Sequence, residues 1–202
     1  MKRIFFIACC FFLVFDSNLF SQSDGKELLE QLRSKFDSIQ DLSAKFVQKT
    51  NGKNTQSGML FYKRTNKLRI NLNSLIIVSN GSTSWSYNKK ENKVIISNYD
   101  DTDPGVFSID EIVYKFPSHC DVTSRVDNGE RILTLTPNSY TYNFDSIELW
   151  LNKDNLISKV LISDSMIGKI EILFSDYDLN QNLADSEFSF VPPEGSKVID
   201  LR

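Results

Sequence analysis

Residues 74–88 read Ser-Leu-Ile-Ile-Val-Ser-Asn-Gly-Ser-Thr-Ser-Trp-Ser-Tyr-Asn and predict a β-hairpin. Asn-Gly between two runs of extended-type residues is the strongest short-range signal for a two-residue hairpin loop. With the Asn-Gly pair at positions 80 and 81 as the loop, Val78 faces Thr83. Because side chains alternate along a strand, one face carries the large apolar residues: Ile76, Val78, Trp85 and Tyr87. Such a face needs cover, either a fixed core or a removable ligand.

The first 21 residues have the pattern of a cleavable signal peptide. A positive start, Met1-Lys2-Arg3, precedes an apolar run over residues 4–15, and Ser21 supplies the small residue before cleavage. The apolar run is too short to span a membrane. Acylation at Cys9 or Cys10 would leave only residues 4–8 as the apolar region, so we disfavour a lipoprotein. We therefore expect a signal peptide at 1–21 and a mature domain at 22–202.

Charge and cysteine content narrow the class of the mature chain. Signal removal takes away two positive charges and one negative charge, which changes the formal net charge from −3 to −4. An acidic chain argues against nucleic-acid binding. Cys120 is then the only cysteine, so no intrachain disulfide is expected. A chain of about 180 residues buries a sufficient core without one, and we find no repeat or linker that would divide it.

Hydrophobic periodicity predicts one helix, a meander of strands, and a second helix in the middle. Residues 24–39 have one apolar helical face, which the simplest interpretation packs on a sheet. Short strand patterns follow at close spacing without helices between them, which indicates antiparallel pairing. Residues 104–116 interrupt the strands with a helical pattern whose N-cap is Asp103. This helix is either an ordinary crossover or a lid over the apolar face.

The search for catalytic chemistry is mostly negative. His119 and Cys120 are adjacent, so in an extended segment their side chains point apart, and together they cannot complete a zinc site. Phosphate-binding loops and zinc-protease or serine-hydrolase motifs are absent from the sequence. Asp100, Asp101 and Asp103 suit a helix start better than a calcium loop, because the closing glutamate of an EF-hand is missing. We therefore expect no enzyme activity, no metal and no cofactor.

Five segments of the mature chain together match the motifs of one known family. They are residues 44–49, residues 58–64, residues 78–81 with Trp85 and Tyr87, residues 133–137, and residues 188–195 followed by Val198 and Asp200. The most specific is the tail, Phe-Ser-Phe-Val-Pro-Pro-Glu-Gly. With these segments, which occur in the family's order and extend over essentially the whole mature chain, the sequence resembles the LolA family of periplasmic outer-membrane lipoprotein carriers.

The resemblance implies an α+β, mainly β fold: an incomplete, half-open antiparallel β-barrel with a helical lid over its concave apolar face. It also implies a carrier without covalent chemistry. Such a carrier accepts acylated lipoproteins from an ABC transporter of the inner membrane and crosses the periplasm of a diderm bacterium. It delivers them to the outer membrane, where an acceptor can receive them. We expect the carrier to act as a monomer.

Site residues follow partly from this resemblance and partly from the strand patterns. The family's arginine that ties the lid to the sheet matches Arg64, and the helix at 104–116 would supply the lid carbonyls. Thr65 stands where the family has proline, and Leu68 stands where it has an aromatic residue important for accepting cargo. The predicted cavity wall is Phe46, Leu60, Leu68, Ile76, Val78, Trp85 and Tyr87, and the predicted lid residues are Val106, Ile109, Ile112, Val113 and Phe116.

Two other functions stay open at this point. A periplasmic or outer-membrane-attached acceptor or sensor could use the same cavity for lipids, and an acyl anchor or a permanent membrane location would favour it. An enzyme on the same sheet would need a buried carboxylate pair in a polar cleft, and the sequence does not indicate one.

Overall fold

A computed structural model of the chain describes residues 22–64, 66–99, 109–139, 142 and 144–202. The predicted signal peptide lies outside these ranges. Within them, no helix is long and apolar enough to cross a membrane. The elements are α1 (Gln22–Asp37), β1 (Asp41–Thr50), β2 (Lys53–Lys63), β3 (Lys67–Leu72), β4 (Leu75–Asn80), β5 (Thr83–Asn88), β6 (Lys93–Asn98), β7 (Cys120–Asp127), β8 (Glu130–Pro137), β9 (Ser146–Leu151), β10 (Ile157–Asp164), β11 (Gly168–Leu179) and β12 (Lys197–Asp200), with short helical turns at Glu111–Lys115, Phe116–His119 and Asp185–Phe188.

All twelve strands form one open sheet in the order β12-β6-β5-β4-β3-β2-β1-β11-β10-β9-β8-β7. Neighbouring strands are antiparallel, except that β12 runs parallel to β6. The two edge strands, β12 and β7, are not hydrogen-bonded neighbours. The predicted mainly β fold with an incomplete antiparallel barrel is therefore confirmed, and the parallel edge strand is an addition to it.

Three Asn-Gly pairs mark hairpins, but they form different turns. At residues 51–52 and 128–129 both central residues have positive φ, as a type I′ turn requires. At the third pair only Gly81 has positive φ, and the register pairs Val78 with Trp85 instead of Thr83. The predicted register is thus wrong by two residues, because the Asn80 side chain caps the turn by accepting the backbone N–H of Thr83 at 2.8 Å.

A two-residue slip leaves every side chain on its predicted face, because strand side chains repeat every two residues. Ile76 still shares a face with Tyr87, its cross-strand partner. Leu75 and Ile77 point to the opposite face. The predicted division of the hairpin into two faces is therefore confirmed, although the pairs within each face are not.

Helix α1 packs its apolar stripe against one face of the sheet, which we call the inner face. The predicted stripe is buried: Leu28, Leu29, Leu32, Phe36 and, just after the helix, Ile39. Near its start, α1 approaches β7 so closely that a Cβ at Gly25 would lie 2.6 Å from the Val122 carbonyl oxygen. Only glycine allows this contact, so Gly25 fixes how α1 lies on the sheet.

Part of the connection between β6 and β7, which lie in opposite halves of the sheet, packs on the inner face through Ile109, Ile112 and Val113. We call residues 109–119 the crossover segment. It contains a π-type turn at Glu111–Lys115 and a 3₁₀ turn at Phe116–His119, and it buries Ile112 and Val113. The predicted helix over 104–116 is thus helical where it is described, and residues 104–108 lie outside the described ranges.

Candidate functional site

An apolar groove of about 190 Å³ lies between the inner face and its helical cover. Its floor comes from β1, β2, β3, β4, β10 and β11, which contribute Ile70, Ile77 and Ile172 among others. Its cover comes from Phe36 of α1 and from Ile109 and Ile112 of the crossover segment. The strand residues reach one space because alternate residues of neighbouring antiparallel strands are in register: Phe46 faces Phe174, and Ile70 faces Ile77.

Phe46 and Leu60, two of the predicted cavity residues, line this groove. Leu68 lies on the same face but belongs to the packed core, with 6% of its surface exposed. It is the cross-strand partner of Tyr62, which carries a hydroxyl close to the cover. The aliphatic residue at position 68 therefore packs next to the groove and does not line it.

The other predicted wall residues, Ile76, Val78, Trp85 and Tyr87, are on the wrong side of the sheet for this groove. They lie on the outer face, where Val78 is fully buried. The cover there is the C-terminal arm, residues 180–190, which buries Phe188 completely and brings the Phe190 ring within 5.5 Å of the Tyr87 ring. The apolar face of the hairpin is thus partly covered by the C-terminal arm: Val78 is buried, whereas Ile76, Trp85 and Tyr87 stay half-buried.

Polar contacts hold the C-terminal arm in this place. The buried carboxylate of Asp41 accepts the backbone N–H of Gln181 at 2.8 Å. Lys63 donates to the Leu183 carbonyl oxygen at 2.7 Å, and Arg69 donates to the Glu187 carbonyl oxygen at 3.1 Å. The sequence signal for this cover was the aromatic pair in the Phe-Ser-Phe tail, whose side chains needed an apolar partner.

Arg64 connects the end of β2 to the end of α1. Its Nε donates to the Ile39 carbonyl oxygen at 2.8 Å, and its Nη2 donates to the Phe36 carbonyl oxygen at 3.1 Å. Carbonyls in the last turn of a helix lack partners within the helix, and a cation there complements the helix dipole. No hydrogen bond from Arg64 to carbonyls of the predicted helix at 104–116 is present in the described part; the described carbonyl acceptors are Phe36 in α1 and Ile39 just after it. Thr65 lies outside the described residues.

The crossover segment also forms hydrogen bonds with α1 and with the sheet. The Tyr114 hydroxyl donates to the Asp37 carboxylate at 2.8 Å, and Arg33 Nε donates to the Val113 carbonyl oxygen at 3.1 Å. On the sheet side, the Tyr62 hydroxyl donates to Asp110 at 3.3 Å. Sheet, α1 and crossover segment are therefore joined by a small number of hydrogen bonds around an otherwise apolar contact.

Burial shifts the pKa values of the side chains that form these hydrogen bonds. It raises the pKa of Asp110 above its ordinary value, although the Tyr62 hydroxyl and two nearby cations favour the charged form. Burial and the Asp37 carboxylate together raise the pKa of Tyr114 to about 12. The tyrosines consequently stay protonated at neutral pH and act as hydrogen-bond donors.

The predicted lid residues divide into three positions. Ile109 and Ile112 face the groove, whereas Val113 is fully buried against the main core. Phe116 packs on the rings of Tyr142 and Phe144, at 5.2 and 5.3 Å between ring centroids. Val106 lies outside the described residues.

The groove in this closed arrangement is smaller than sites that hold sizeable ligands. Pockets for drug-sized molecules measure roughly 300–1,000 Å³, against about 190 Å³ here. A long acyl chain would enter only if the cover moved away from the sheet. Such a movement would break the hydrogen bonds that join α1 and the crossover segment to the sheet.

Metal and nucleophile chemistry receive no support from the described residues. Across the described ranges, no group of three or more His, Cys, Asp or Glu side chains could hold a metal ion. Cys120 is buried, and burial raises the pKa of its thiol to about 11. At neutral pH it is therefore an inert thiol.

Comparison with known proteins agrees with this architecture. Residues 37–191 match the family model described as outer membrane lipoprotein carrier protein LolA. The chain is similar to an outer-membrane lipoprotein carrier protein of Azotobacter vinelandii, with 27% identity, 89% of this chain and 90% of the relative covered. It is also similar to one of Francisella tularensis, with 24% identity, 99% of this chain and 98% of the relative covered.

A solved structure supports the fold alone. An uncharacterized conserved protein of Thermus thermophilus superposes with a TM-score of 0.60 at 13% identity, over 88% of this chain and 99% of the other. Because the family model covers most of the chain, the conclusion is that this chain belongs to the LolA family of outer membrane lipoprotein carrier proteins.

Proposed function

We propose that this protein carries acylated lipoproteins through the periplasm, with their acyl chains in the groove of the inner face. Residues 1–21 direct its export, and residues 22–202 form the carrier. It accepts cargo from an ABC transporter of the inner membrane and delivers it to the outer membrane or to an acceptor there. The names of its relatives and its family membership support this role.

The observation that carries the proposal is an apolar groove whose cover packs on the sheet through apolar side chains and is joined to it by only a few hydrogen bonds. Each buried CH₂ contributes about 0.8 kcal/mol, so enclosing acyl chains offsets the cost of removing them from a membrane. A cover that closes over an empty groove competes with the cargo for the same apolar surface. Closed and loaded states of similar free energy allow both uptake and release.

Arg64 favours the closed state in this scheme. It bonds to carbonyls at the end of α1, so α1 loses these bonds when it moves away from the sheet. Cargo binding must therefore supply enough free energy to replace them. A closed state that is too stable would reject cargo, and one that is too weak would keep it.

A transfer experiment tests the proposal. Purified residues 22–202 are incubated with inner-membrane vesicles that contain the transporter and a radiolabelled lipoprotein, with and without ATP. The proposal predicts an ATP-dependent soluble complex of carrier and lipoprotein. Lipid binding without any release from the vesicles would favour an acceptor or sensor. The absence of both release and lipid binding would refute the carrier role.

A further inference from the structure

The inner face of the sheet changes from apolar to polar at one rim of the groove. From β4, Leu75 and Ile77 line the groove, and no residue of β5 or β6 does so within the described ranges. Ser86 pairs with Ile77 and, on its other side, with Ile95. Ser84 pairs with Ser97. We call Ser84, Ser86 and Ser97 the hydroxyl patch, and it continues the groove floor along the same face.

The three hydroxyls of this patch have no hydrogen-bond partner among the described residues. All three serines are half-buried. Nearby polar side chains differ, because they serve the backbone: Ser79 Oγ accepts the N–H of Gly81 at 3.1 Å, and Asn88 Oδ1 accepts the N–H of Lys90 at 3.0 Å. The hydroxyl patch thus has unused donors and acceptors beside an apolar groove.

Serine is a poor choice for a strand unless its side chain has a role, because strands favour β-branched and aromatic residues. The outer face of β5 follows this preference with Thr83, Trp85 and Tyr87. The inner face carries Ser84 and Ser86 instead. Small polar side chains leave room above the strand and present hydroxyls to whatever lies there.

We propose that the hydroxyl patch binds the ester and amide carbonyls at the head of an acylated peptide while its acyl chains occupy the groove. This inference rests on the proposed carrier function and adds where the head of the cargo lies. Carbonyl groups lose hydrogen bonds with water when the chains enter an apolar site, and this loss costs free energy unless it is compensated. Serine hydroxyls can donate to them.

The charges around the patch favour a neutral head over an anionic one. Anionic heads are bound most strongly by arginine or lysine. Within β5 and β6, which are fully described, the one cation on this face is Lys93, and it is paired with Glu91 at 2.9 Å. Hydroxyls alone suit carbonyl oxygens, so the structure assigns the patch to the uncharged linkage between acyl chain and peptide.

Two triple variants test this assignment, because threonine and valine have the same shape and differ by the hydroxyl. Ser84, Ser86 and Ser97 are all replaced by Thr in one variant and by Val in the other. Thr83→Val on the outer face of β5 is the matched control, and thermal unfolding verifies that all variants fold. The probes are a synthetic diacylated lipopeptide, a diacylglycerol and a free fatty acid of the same chain length, each measured by displacement of a fluorescent fatty acid.

One hydroxyl bond contributes about fivefold to affinity, so the triple Val variant should bind the lipopeptide at least about tenfold more weakly than the triple Thr variant. Fatty-acid affinity should not change in either variant. A parallel loss for diacylglycerol would assign the patch to ester carbonyls, and a loss for the lipopeptide alone would assign it to peptide amides.

Equal lipopeptide affinity of the Thr and Val variants would overturn the inference. An equal loss for the fatty acid would also overturn it, because the patch would then not distinguish the ester and amide carbonyls from a carboxylate or from the chains. If the wild-type protein bound fatty acid but not lipopeptide, the head assignment would fail and the acyl groove would stand. If it bound none of the probes, the proposed function would fail, and the inference with it.

Discussion

Arg64 Nε lies 2.8 Å from the carbonyl oxygen of Ile39, the residue at which the chain leaves α1 and turns into β1. The same guanidinium reaches the Phe36 carbonyl oxygen, and Phe36 lines the groove. One side chain at the end of β2 therefore holds the part of α1 that covers the apolar site. This arrangement couples a polar contact at the end of the sheet to access to the groove.

Arg64→Leu should loosen the end of α1 and open the groove. A hydrogen bond from a charged donor contributes about 1.5–3 kcal/mol, and partial exposure of this side chain reduces the expected loss of stability to about 1–2 kcal/mol. Fluorescence of a hydrophobic dye should rise, and amide hydrogen exchange should increase at residues 33–40. Arg64→Lys is the matched control, since it keeps the charge and one donor. Unchanged exchange in the Leu variant would show that α1 is held by packing alone.

Asp110→Asn should stabilise the protein at neutral pH. Burial raises the pKa of Asp110 above its ordinary 3.8, so the folded state holds this proton more tightly than the unfolded chain. The free energy of unfolding therefore falls as pH rises through the interval between the two pKa values. Asparagine cannot ionise and can still accept the bond from Tyr62.

The difference in unfolding free energy between the Asn variant and the wild type should accordingly grow from about pH 3 to pH 7. Urea unfolding at several pH values measures it. Asp154→Asn, at an exposed site in the β9–β10 turn, controls for the loss of one negative charge. A difference that is constant with pH would mean that Asp110 is not desolvated by the cover.

Phe188→Ala should destabilise the fold without weakening lipid binding. Phe188 is fully buried on the outer face, and truncation of a buried phenylalanine costs about 3–5 kcal/mol. The groove lies on the other face, so acyl-chain affinity, measured below the melting temperature of the variant, should stay within about twofold of wild type. A loss of affinity that exceeds this limit would show that the C-terminal arm and the groove are coupled through the sheet.

Gly58→Ala should disrupt the pairing of β2 with β3. A Cβ at this position would overlap the Asn71 carbonyl oxygen, which is backbone and cannot move aside cheaply. We expect a loss of more than about 2 kcal/mol, because overpacking in a tight site costs about 1–3 kcal/mol. Gly52→Ala is a contrasting variant: nothing surrounds its Cβ, so its cost comes only from the positive φ. Equal effects of both changes, in thermal unfolding, would contradict the steric account.

Local patterns predicted the strands well, because alternation and turn residues are set by neighbours in sequence. The hairpin at 74–88 and the buried stripe of α1 both follow from such patterns. The predicted hairpin register was wrong because Asn80 can be either a central residue of the loop or the last residue of β4. The hydrogen bonds that its side chain accepts from Ser82 and Thr83 decide between the two positions.

The candidate site was harder to predict because alternation shows which side chains share a face but not what covers it. Ile76 and Ile77 are equally apolar neighbours. The C-terminal arm, more than one hundred residues later, covers the face of Ile76, and α1 with the crossover segment covers the face of Ile77. Likewise, Arg64 was predicted to connect sheet and cover, and the carbonyl acceptors among the described residues are Phe36 and Ile39, which the sequence pattern did not indicate. What covers each face, and which carbonyl groups Arg64 reaches, both depend on how segments far apart in the sequence pack together.

The central claim is that acyl chains occupy the inner face and not the outer one. A photoreactive amino acid placed at Ile77 in one variant and at Ile76 in another tests it directly, with a diacylated lipopeptide whose acyl chains are radiolabelled. These neighbours lie on opposite faces of one strand, so they share every feature except the side of the sheet. The account predicts strong labelling from position 77 and little from position 76. Labelling from position 76 that equals or exceeds that from position 77 would contradict it.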